Sequence, residues 1–222
     1  MPKRAASHLG GAIDVRHPWF IGGALLLATV VLGVVAVSPE AVFLGGTLGP
    51  VLFAASLLVF AFGIRGSGSV TARRPLGTAA LTVLAVWGLL DLALSDVFQT
   101  EMTGDGFPAA VTVFATVDPY VEFALSLVAV TQIIRAGVVP APWNWAPAWA
   151  LAALTVSWLV SALGAAATTP GSDMRVIFAV LTVDGLVRVT CAVVLGVLAI
   201  VLADRASRTA AVAVTSTSGS PL

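Results

Sequence analysis

Six long apolar segments, separated by short polar ones, set the pattern of this chain. They cover about 18–37, 41–64, 75–98, 113–134, 148–167 and 176–203. Each is about 20 residues long or longer, which is the length an α-helix needs to cross the hydrocarbon core of a bilayer. The pattern therefore predicts an all-α protein, a polytopic integral membrane bundle of six transmembrane helices over 18–203.

Polar segments flank this domain. Residues 1–17 carry Lys3, Arg4, Asp14 and Arg16, and we interpret them as a short N-terminal segment. The first apolar segment is longer than the apolar core of a signal peptide, about 7–15 residues, so we expect it to be retained as a helix. The C-terminal residues 204–222 end in the polar run TSTSGSPL, which predicts a disordered tail.

The basic residues predict how the bundle is oriented. All of them except Arg175 and Arg188 fall on one side of the six segments: Lys3, Arg4, Arg16, Arg65, Arg73, Arg74, Arg135, Arg205 and Arg208. Cytoplasmic loops of membrane proteins are enriched in Lys and Arg. We therefore predict that both termini are cytoplasmic and that the protein is a multi-pass protein of the cell membrane.

The composition limits which partners and which kinds of site the chain can have. The chain is 59% hydrophobic and 10% charged, with a net charge of zero, so no basic field favours a nucleic-acid partner. His8 and His17 both precede the first segment, Cys191 is the single cysteine and Lys3 the single lysine. These residues cannot form an intramembrane histidine metal site, a dithiol or a retinal Schiff base. We predict no cofactor and no metal, with the lipid bilayer and an apolar small molecule as partners.

Two further patterns concern packing. In the second segment, Gly45 and Gly49 have the spacing of a small-residue helix-packing face, and Pro50 predicts a kink. The run from Pro140 to Trp149 holds three tryptophans, which is typical of an aromatic belt at the membrane interface.

All the charged residues in the stretch from Asp91 to Glu122 are acidic, and it contains no Lys, Arg or His. In the predicted topology Asp96 lies at the outer rim, and Glu101 and Asp105 lie in an outer loop. Asp91, Asp118 and Glu122 remain within the membrane, in its outer half. A charge that faces lipid costs several kcal/mol, so these acids are expected to line an outward-opening cavity.

Asp184 joins this group from the last segment. Arg188 follows it by four residues, a spacing that predicts an ion pair on one helix face. A purely structural interpretation is open: Asp118 could be a helix-start acid, and Asp184 and Arg188 a structural pair. Against it, the acids outnumber the single arginine, so some must be protonated or bind a cation.

Three function classes follow from such a site. The first is an enzyme that uses an intramembrane Asp or Glu as general acid on an apolar substrate. Its pocket would be lined by Arg188 and by aromatic side chains, namely Trp87, Phe98, Tyr120, Phe123, Trp158 and Phe178. The second is a small proton- or cation-coupled transporter or channel, and the third is a non-catalytic membrane subunit. The sequence carries no signal of oligomeric state.

Two short segments carry a family resemblance. Val183-Asp184-Gly185 resembles the acid–glycine pair in the final helix of small membrane-bound terpene cyclases, of the fungal meroterpenoid and bacterial indole-sesquiterpenoid type. Trp87 resembles a tryptophan that this family follows with Glu; here Gly88 follows, and Asp91 lies one turn on. The resemblance implies metal-independent protonation of an epoxide or alkene, with Asp184 or Asp91 as donor.

In that scheme Asp118 and Glu122 orient the acid, and Arg188 sets the charge state of Asp184. An ion pair with Arg188 favours the charged form of Asp184, which makes it a poor donor. Glu122 has no basic partner nearby in the sequence. We therefore expect Glu122 to be a rival proton donor.

Overall fold

The computed structural model describes residues 16–35, 39–64, 68–72, 74–101, 109–167 and 174–218. In this part of the chain the long helices are α1 Arg16–Val35, α2 Pro39–Phe62, α3 Pro75–Glu101, α4 Ala109–Ala136, α5 Ala146–Ala167 and α6 Met174–Ser218. A 3-10 turn, Trp143–Trp145, precedes α5. Each of the six long helices contains an apolar stretch long enough to cross a membrane. The predicted all-α bundle of six membrane-spanning helices is confirmed.

The helices form a ring in chain order. Each helix contacts its neighbours in sequence, and α1 also contacts α6. Among the described residues, the Cα atoms of helices that are not neighbours in this ring stay more than 8 Å apart. The seam between α4 and α5 is the least extensive of the neighbouring contacts. No described helix therefore lies inside the ring.

The closest backbone approach described for this ring joins α1 to α6. A Cβ added at Gly23 would lie 2.7 Å from the carbonyl oxygen of Gly196, and one added at Gly196 would lie 2.9 Å from Leu27 Cγ. Helices in a membrane gain no hydrophobic drive from packing together, since lipid is as apolar as they are. Glycines that let two backbones meet therefore determine where α1 and α6 cross.

The predicted packing face on α2 is different in the structure. A Cβ added at Gly46 or Gly49 would meet nothing within 4 Å, so no described part of the chain approaches either glycine closely. The second half of α2 contains the buried Ala54, Ser56 and Ala61. Within the described residues, the predicted packing face is therefore wrong at Gly49, because no neighbouring helix lies against it. The helix continues through Pro50, and the kink stays a prediction.

Burial concentrates at one end of the ring, where α1 and α3 begin and α2 and α4 end. We call it the basic end, since most arginines lie there, and the other the distal end. One cluster of buried residues there joins α1, α4 and α6: Trp19, Ile133, Val139, Leu202 and Ala203. A second joins α2, α3 and α4: Ala61, Ala80, Leu81 and Ala129. Val111 and Ser157 are buried outside this half.

The connection between α2 and α3 folds over the basic end. Trp19 Nε1 donates a hydrogen bond of 2.7 Å to the carbonyl oxygen of Gly68. The hydroxyl of Thr71, which is fully buried, lies 3.1 Å from the hydroxyls of both Ser69 and Thr78. Each of these polar groups therefore has a partner inside the protein. The basic end is closed both by side chains and by this connection.

The last helix is longer than its membrane-spanning part. The sequence predicts a disordered tail over 204–222, but the structure continues α6 to Ser218. The physical reason is local: alanines favour helix, and Arg208 Nε donates to Asp204 Oδ2 at 2.8 Å across one turn. Residues 219–222 lie outside the described residues, as do 1–15 of the predicted N-terminal segment and Asp105 of the predicted outer loop.

Candidate functional site

A tryptophan–carboxyl hydrogen bond joins α3 to α4. Trp87 Nε1 donates to Asp118 Oδ1 at 2.7 Å. The Trp87 ring also stacks on Phe114, with 5.9 Å between ring centroids and 20° between planes. Phe114 lies one turn before Asp118 on α4, so the indole spans one turn of that helix. Trp87 and Asp118 are both candidates from the sequence, but the bond between them was not foreseen.

A second polar contact joins α5 to α6. Ser157 Oγ donates to Asp184 Oδ1 at 2.7 Å, and Arg188 Nε donates to Asp184 Oδ2, also at 2.7 Å. The predicted Asp184–Arg188 ion pair is confirmed. The Asp184 side chain is 19% exposed and that of Arg188 is 58% exposed. Both oxygens of Asp184 therefore accept hydrogen bonds.

Sequence reasoning missed Ser157. The fifth segment carries no charge, so its sequence alone does not mark it as part of a polar site. Ser157 is 7% exposed, and it is the one described residue of α5 that is buried. The signal that could have found it is a hydroxyl beside Trp158 in a helix without charged residues, because polar groups in membrane helices tend to bond across helices.

An aromatic contact closes the seam between α4 and α5. The rings of Tyr120 and Trp158 meet edge to face, with 5.6 Å between centroids and 77° between planes. Trp158 follows Ser157 directly, and Tyr120 lies two residues after Asp118. The Trp87, Tyr120 and Ser157 contacts therefore lie at about the same depth and connect α3, α4, α5 and α6. The sequence predicted Trp87, Tyr120 and Trp158 as pocket residues, and the structure brings them close to the acids.

Electrostatic interactions extend this layer. Asp91 lies one turn beyond Trp87 toward the distal end, and the charge of Asp118 acts on it. Glu122 lies one turn beyond Asp118 toward the basic end, and Asp118, Arg188 and Asp91 all act on it. We call Asp91, Asp118, Glu122, Asp184 and Arg188 the acid cluster.

The acid cluster is open rather than enclosed. Asp91 is exposed, and Asp118 and Glu122 are half-buried. Phe123 and Phe178, also predicted to line the pocket, are 42% and 64% exposed. The side chains of Asp96, Phe98 and Glu101 lie outside the described part of the structure. The cluster therefore belongs to the loosely packed distal half, which is consistent with access from that side.

The geometry limits how the carboxyl groups can act. Within the described residues, no three of the His, Cys, Asp and Glu side chains converge closely enough to bind a metal ion. The acids lie close enough to influence one another, but they do not point to one centre. Arg188 can neutralise only one of them, and each further carboxylate charge that faces a membrane interior costs several kcal/mol. The cluster therefore places more acid than base at this depth.

Aromatic rings lie near the acid cluster. Trp87 bonds directly to Asp118, and Tyr120 and Trp158 lie along the adjoining seam. The faces of such rings attract cations, which in an apolar site includes a carbocation. The arrangement can therefore deliver a proton to an apolar molecule and stabilise the positive charge that results.

Comparison with protein-family models, with curated proteins and with solved structures finds no match to this chain.

Proposed function

We propose that this chain is a membrane-embedded enzyme of the cell membrane that uses an intramembrane carboxylic acid as general acid on an apolar, prenyl- or terpenoid-type substrate. The reaction class is a metal-independent cyclisation or isomerisation, like that of the small membrane-bound terpene cyclases that the sequence resembles. One observation carries the proposal. Four carboxyl groups from α3, α4 and α6 lie at the depth of Trp87, Tyr120 and Trp158, and Arg188, which pairs with Asp184, is the one basic side chain described among them.

Glu122 is our choice of proton donor. Asp184 accepts hydrogen bonds at both oxygens, from Ser157 and Arg188, and therefore acts as an anion with no proton to give. Asp118 accepts the indole N–H of Trp87. Glu122 is half-buried, interacts with three charges of the cluster and has no hydrogen bond described that would fix it as an acceptor.

The proposed step conserves atoms and electrons. The Glu122 carboxyl proton passes to an epoxide oxygen or an alkene carbon of the substrate, and a carbocation forms as the C–O or C=C bond opens. Neighbouring double bonds then attack this cation and close the ring. Loss of a proton from carbon to the Glu122 carboxylate ends the sequence and restores the acid. The faces of Trp87, Tyr120 and Trp158 stabilise the cationic intermediates.

The closed basic end favours an enzyme over a transporter. A transport path from Arg188 to the basic end would have to pass the cluster around Trp19 and the folded connection at Gly68 and Thr71. A structural subunit is disfavoured for another reason: structural acids in a membrane would each have a partner, whereas no hydrogen bond or ion pair is described for Asp91 or Glu122. We further propose that the basic end faces the cytoplasm, because of its arginines.

The test uses purified protein in detergent with terminal epoxides of farnesol and geranylgeraniol as probes. We expect the wild type to produce cyclic isomers of unchanged mass, detected by gas chromatography and mass spectrometry, with or without a chelator. Glu122→Gln is expected to lower the rate by about 100-fold or more, the usual contribution of a general acid. Asp91→Asn and Asp184→Asn should also abolish activity without loss of fold.

Asp204→Asn is the matched control. Asp204 lies on the same helix as Asp184 and also pairs with an arginine four residues on, but it is about 30 Å away along α6. Its substitution should leave turnover unchanged. Full activity in all three site variants would refute the acid-site proposal. Proton or cation flux in proteoliposomes that Glu122→Gln abolishes, without product in any assay, would favour the transporter instead.

A further inference from the structure

A groove of about 480 Å³ runs between α5 and α6. Small side chains, including Ala152 and Ala153, give it depth, and Val183 forms part of its α6 wall. The polar side chains that line it are Ser157 and Ser161, and no charged side chain does so. A groove of this composition at membrane depth binds a hydrocarbon chain in preference to water.

The position of the groove limits which kind of lipid molecule can fill its whole length. On α5 the lining extends from Trp149 to Ser161, a length of about 18 Å along the helix axis. Ser157 lies seven residues before Gly164, the end of the apolar stretch, and so about 10 Å inside it. The charged head group of a phospholipid stays at the interface. Only a molecule with a small polar group can place that group at Ser157.

Ser157 connects the groove to the acid cluster. It lines the groove, and its hydroxyl donates to Asp184 Oδ1 at 2.7 Å. Because the hydroxyl hydrogen is used, the oxygen lone pairs are what Ser157 offers to a ligand. They accept a hydrogen bond, which a hydroxyl group on the ligand can donate.

The charge balance beside Ser157 further limits the chemical class of the ligand. Asp184, which accepts the hydrogen bond of Ser157, pairs with Arg188 at 2.7 Å, so this pair beside the groove carries no net charge. An anionic group such as a carboxylate or diphosphate would lose its hydration there and gain no unpaired cation in return. A neutral hydroxyl meets neither difficulty.

We infer that the α5–α6 groove is the binding site for the chain of the substrate, which enters sideways from the bilayer and places an uncharged hydroxyl group at Ser157. The ligand class is a long-chain alcohol or a prenylated phenol. Ser157 is then a positioning residue, since it holds the substrate beside Asp184 without reacting. This inference rests on the proposed function and adds where the substrate binds and which polar group it carries.

Photolabelling tests the site without turnover. The probe is a diazirine-bearing farnesol added to the full chain in lipid nanodiscs, with labelled peptides mapped by mass spectrometry. We expect saturable labelling of α5 and α6 around the groove, displaced by farnesol and not by farnesyl diphosphate. Non-saturable labelling, or equal labelling by a phospholipid that carries the diazirine in its acyl chain, would mean bulk lipid only and would overturn the inference.

Filling the groove provides the matched comparison. Ala153→Trp is expected to lower labelling at least tenfold, and Ala152→Phe provides a second variant if the first fails to fold. Ala79→Trp is the control, since it makes the same change in a separate groove between α2 and α3. Normal labelling in a folded Ala153→Trp or Ala152→Phe protein would overturn the inference.

The role of Ser157 has its own readout. In wild type, farnesol should displace the probe at least several-fold better than its methyl ether does, because the ether has no hydrogen to donate. Ser157→Ala should remove that preference, and an unchanged preference would refute the role. Saturable labelling without product from any substrate would refute the proposed function but would support the groove as a binding site. Unchanged turnover in a folded groove-filling variant would refute the groove as the substrate site but would leave the proposed function unaffected.

Discussion

The hydrogen bond between Trp87 and Asp118 offers a direct measure of how the acid cluster is held. Trp87→Phe removes the indole N–H that donates to Asp118 Oδ1 and keeps an aromatic ring to stack on Phe114. Asp118→Ala removes the acceptor. The double variant completes a double-mutant cycle. Subtracting the effects of the two single substitutions removes the contributions of the lost ring area and the lost carboxyl group, and the coupling free energy that remains is that of the hydrogen bond.

The size of this coupling follows from the bond geometry. Hydrogen bonds between membrane helices contribute about 0.6 kcal/mol on average and at most about 1.7 kcal/mol. Bonds to charged groups in proteins contribute about 1.5–3 kcal/mol. The Trp87–Asp118 bond is short, at 2.7 Å, and its acceptor is a carboxyl group. We expect a coupling free energy of about 1.5 kcal/mol, which is about tenfold in the unfolding equilibrium constant.

Reversible unfolding in mixed micelles, followed by circular dichroism, gives the four free energies of the cycle. Trp145→Phe serves as a control for the substitution itself, because Trp145 is 55% exposed in the turn before α5. That change should leave the unfolding free energy within about 0.5 kcal/mol of wild type. A coupling energy below about 0.3 kcal/mol, the additivity error of such cycles, would show that the bond does not hold α3 to α4.

Two further predictions concern packing and orientation. Gly23→Ala places a methyl group 2.7 Å from the Gly196 carbonyl oxygen and should destabilise the protein by about 1–3 kcal/mol in the same unfolding assay. Gly33→Ala is the control, because Gly33 lies on the same helix in open space, and it should not destabilise the protein in this way. Equal destabilisation by the two variants would contradict a crossing of α1 and α6 at Gly23. For orientation, Ala206→Cys in a Cys191→Ser background should react with a membrane-impermeant maleimide only after permeabilisation of cells, and labelling of intact cells would place the basic end outside.

The secondary structure and the number of long apolar helices could be predicted from the sequence. A backbone in hydrocarbon must bond to itself, so each apolar segment of sufficient length becomes a helix, and the observed helices match the predicted segments closely. Local spacing also predicted the Asp184–Arg188 pair, because residues four apart in a helix meet whatever surrounds them. The continuation of α6 to Ser218 was missed, since the polar end of the chain outweighed the helix propensity of its alanines.

The arrangement of the helices was decided by the tertiary structure. Trp87 meets Asp118, and Ser157 meets Asp184, across 31 and 27 residues of chain, and the sequence of either helix alone does not indicate these partners. In water, an apolar stripe would show which helix face turns inward. In lipid every face is apolar, so that signal is lost, and the contacts depend on close approach of backbones and on hydrogen bonds between helices.

The glycines show the same division. Gly45 and Gly49 have the spacing of a packing face, yet a Cβ at Gly49 would meet open space, whereas Gly23 and Gly196 lie at the crossing of α1 and α6. The sequence by itself determined that the chain spans a membrane six times and carries acids within it. Only the tertiary structure decided which acids share a site and that Ser157 joins them, because helix neighbours in lipid are chosen by shape and polar contacts rather than by hydrophobicity.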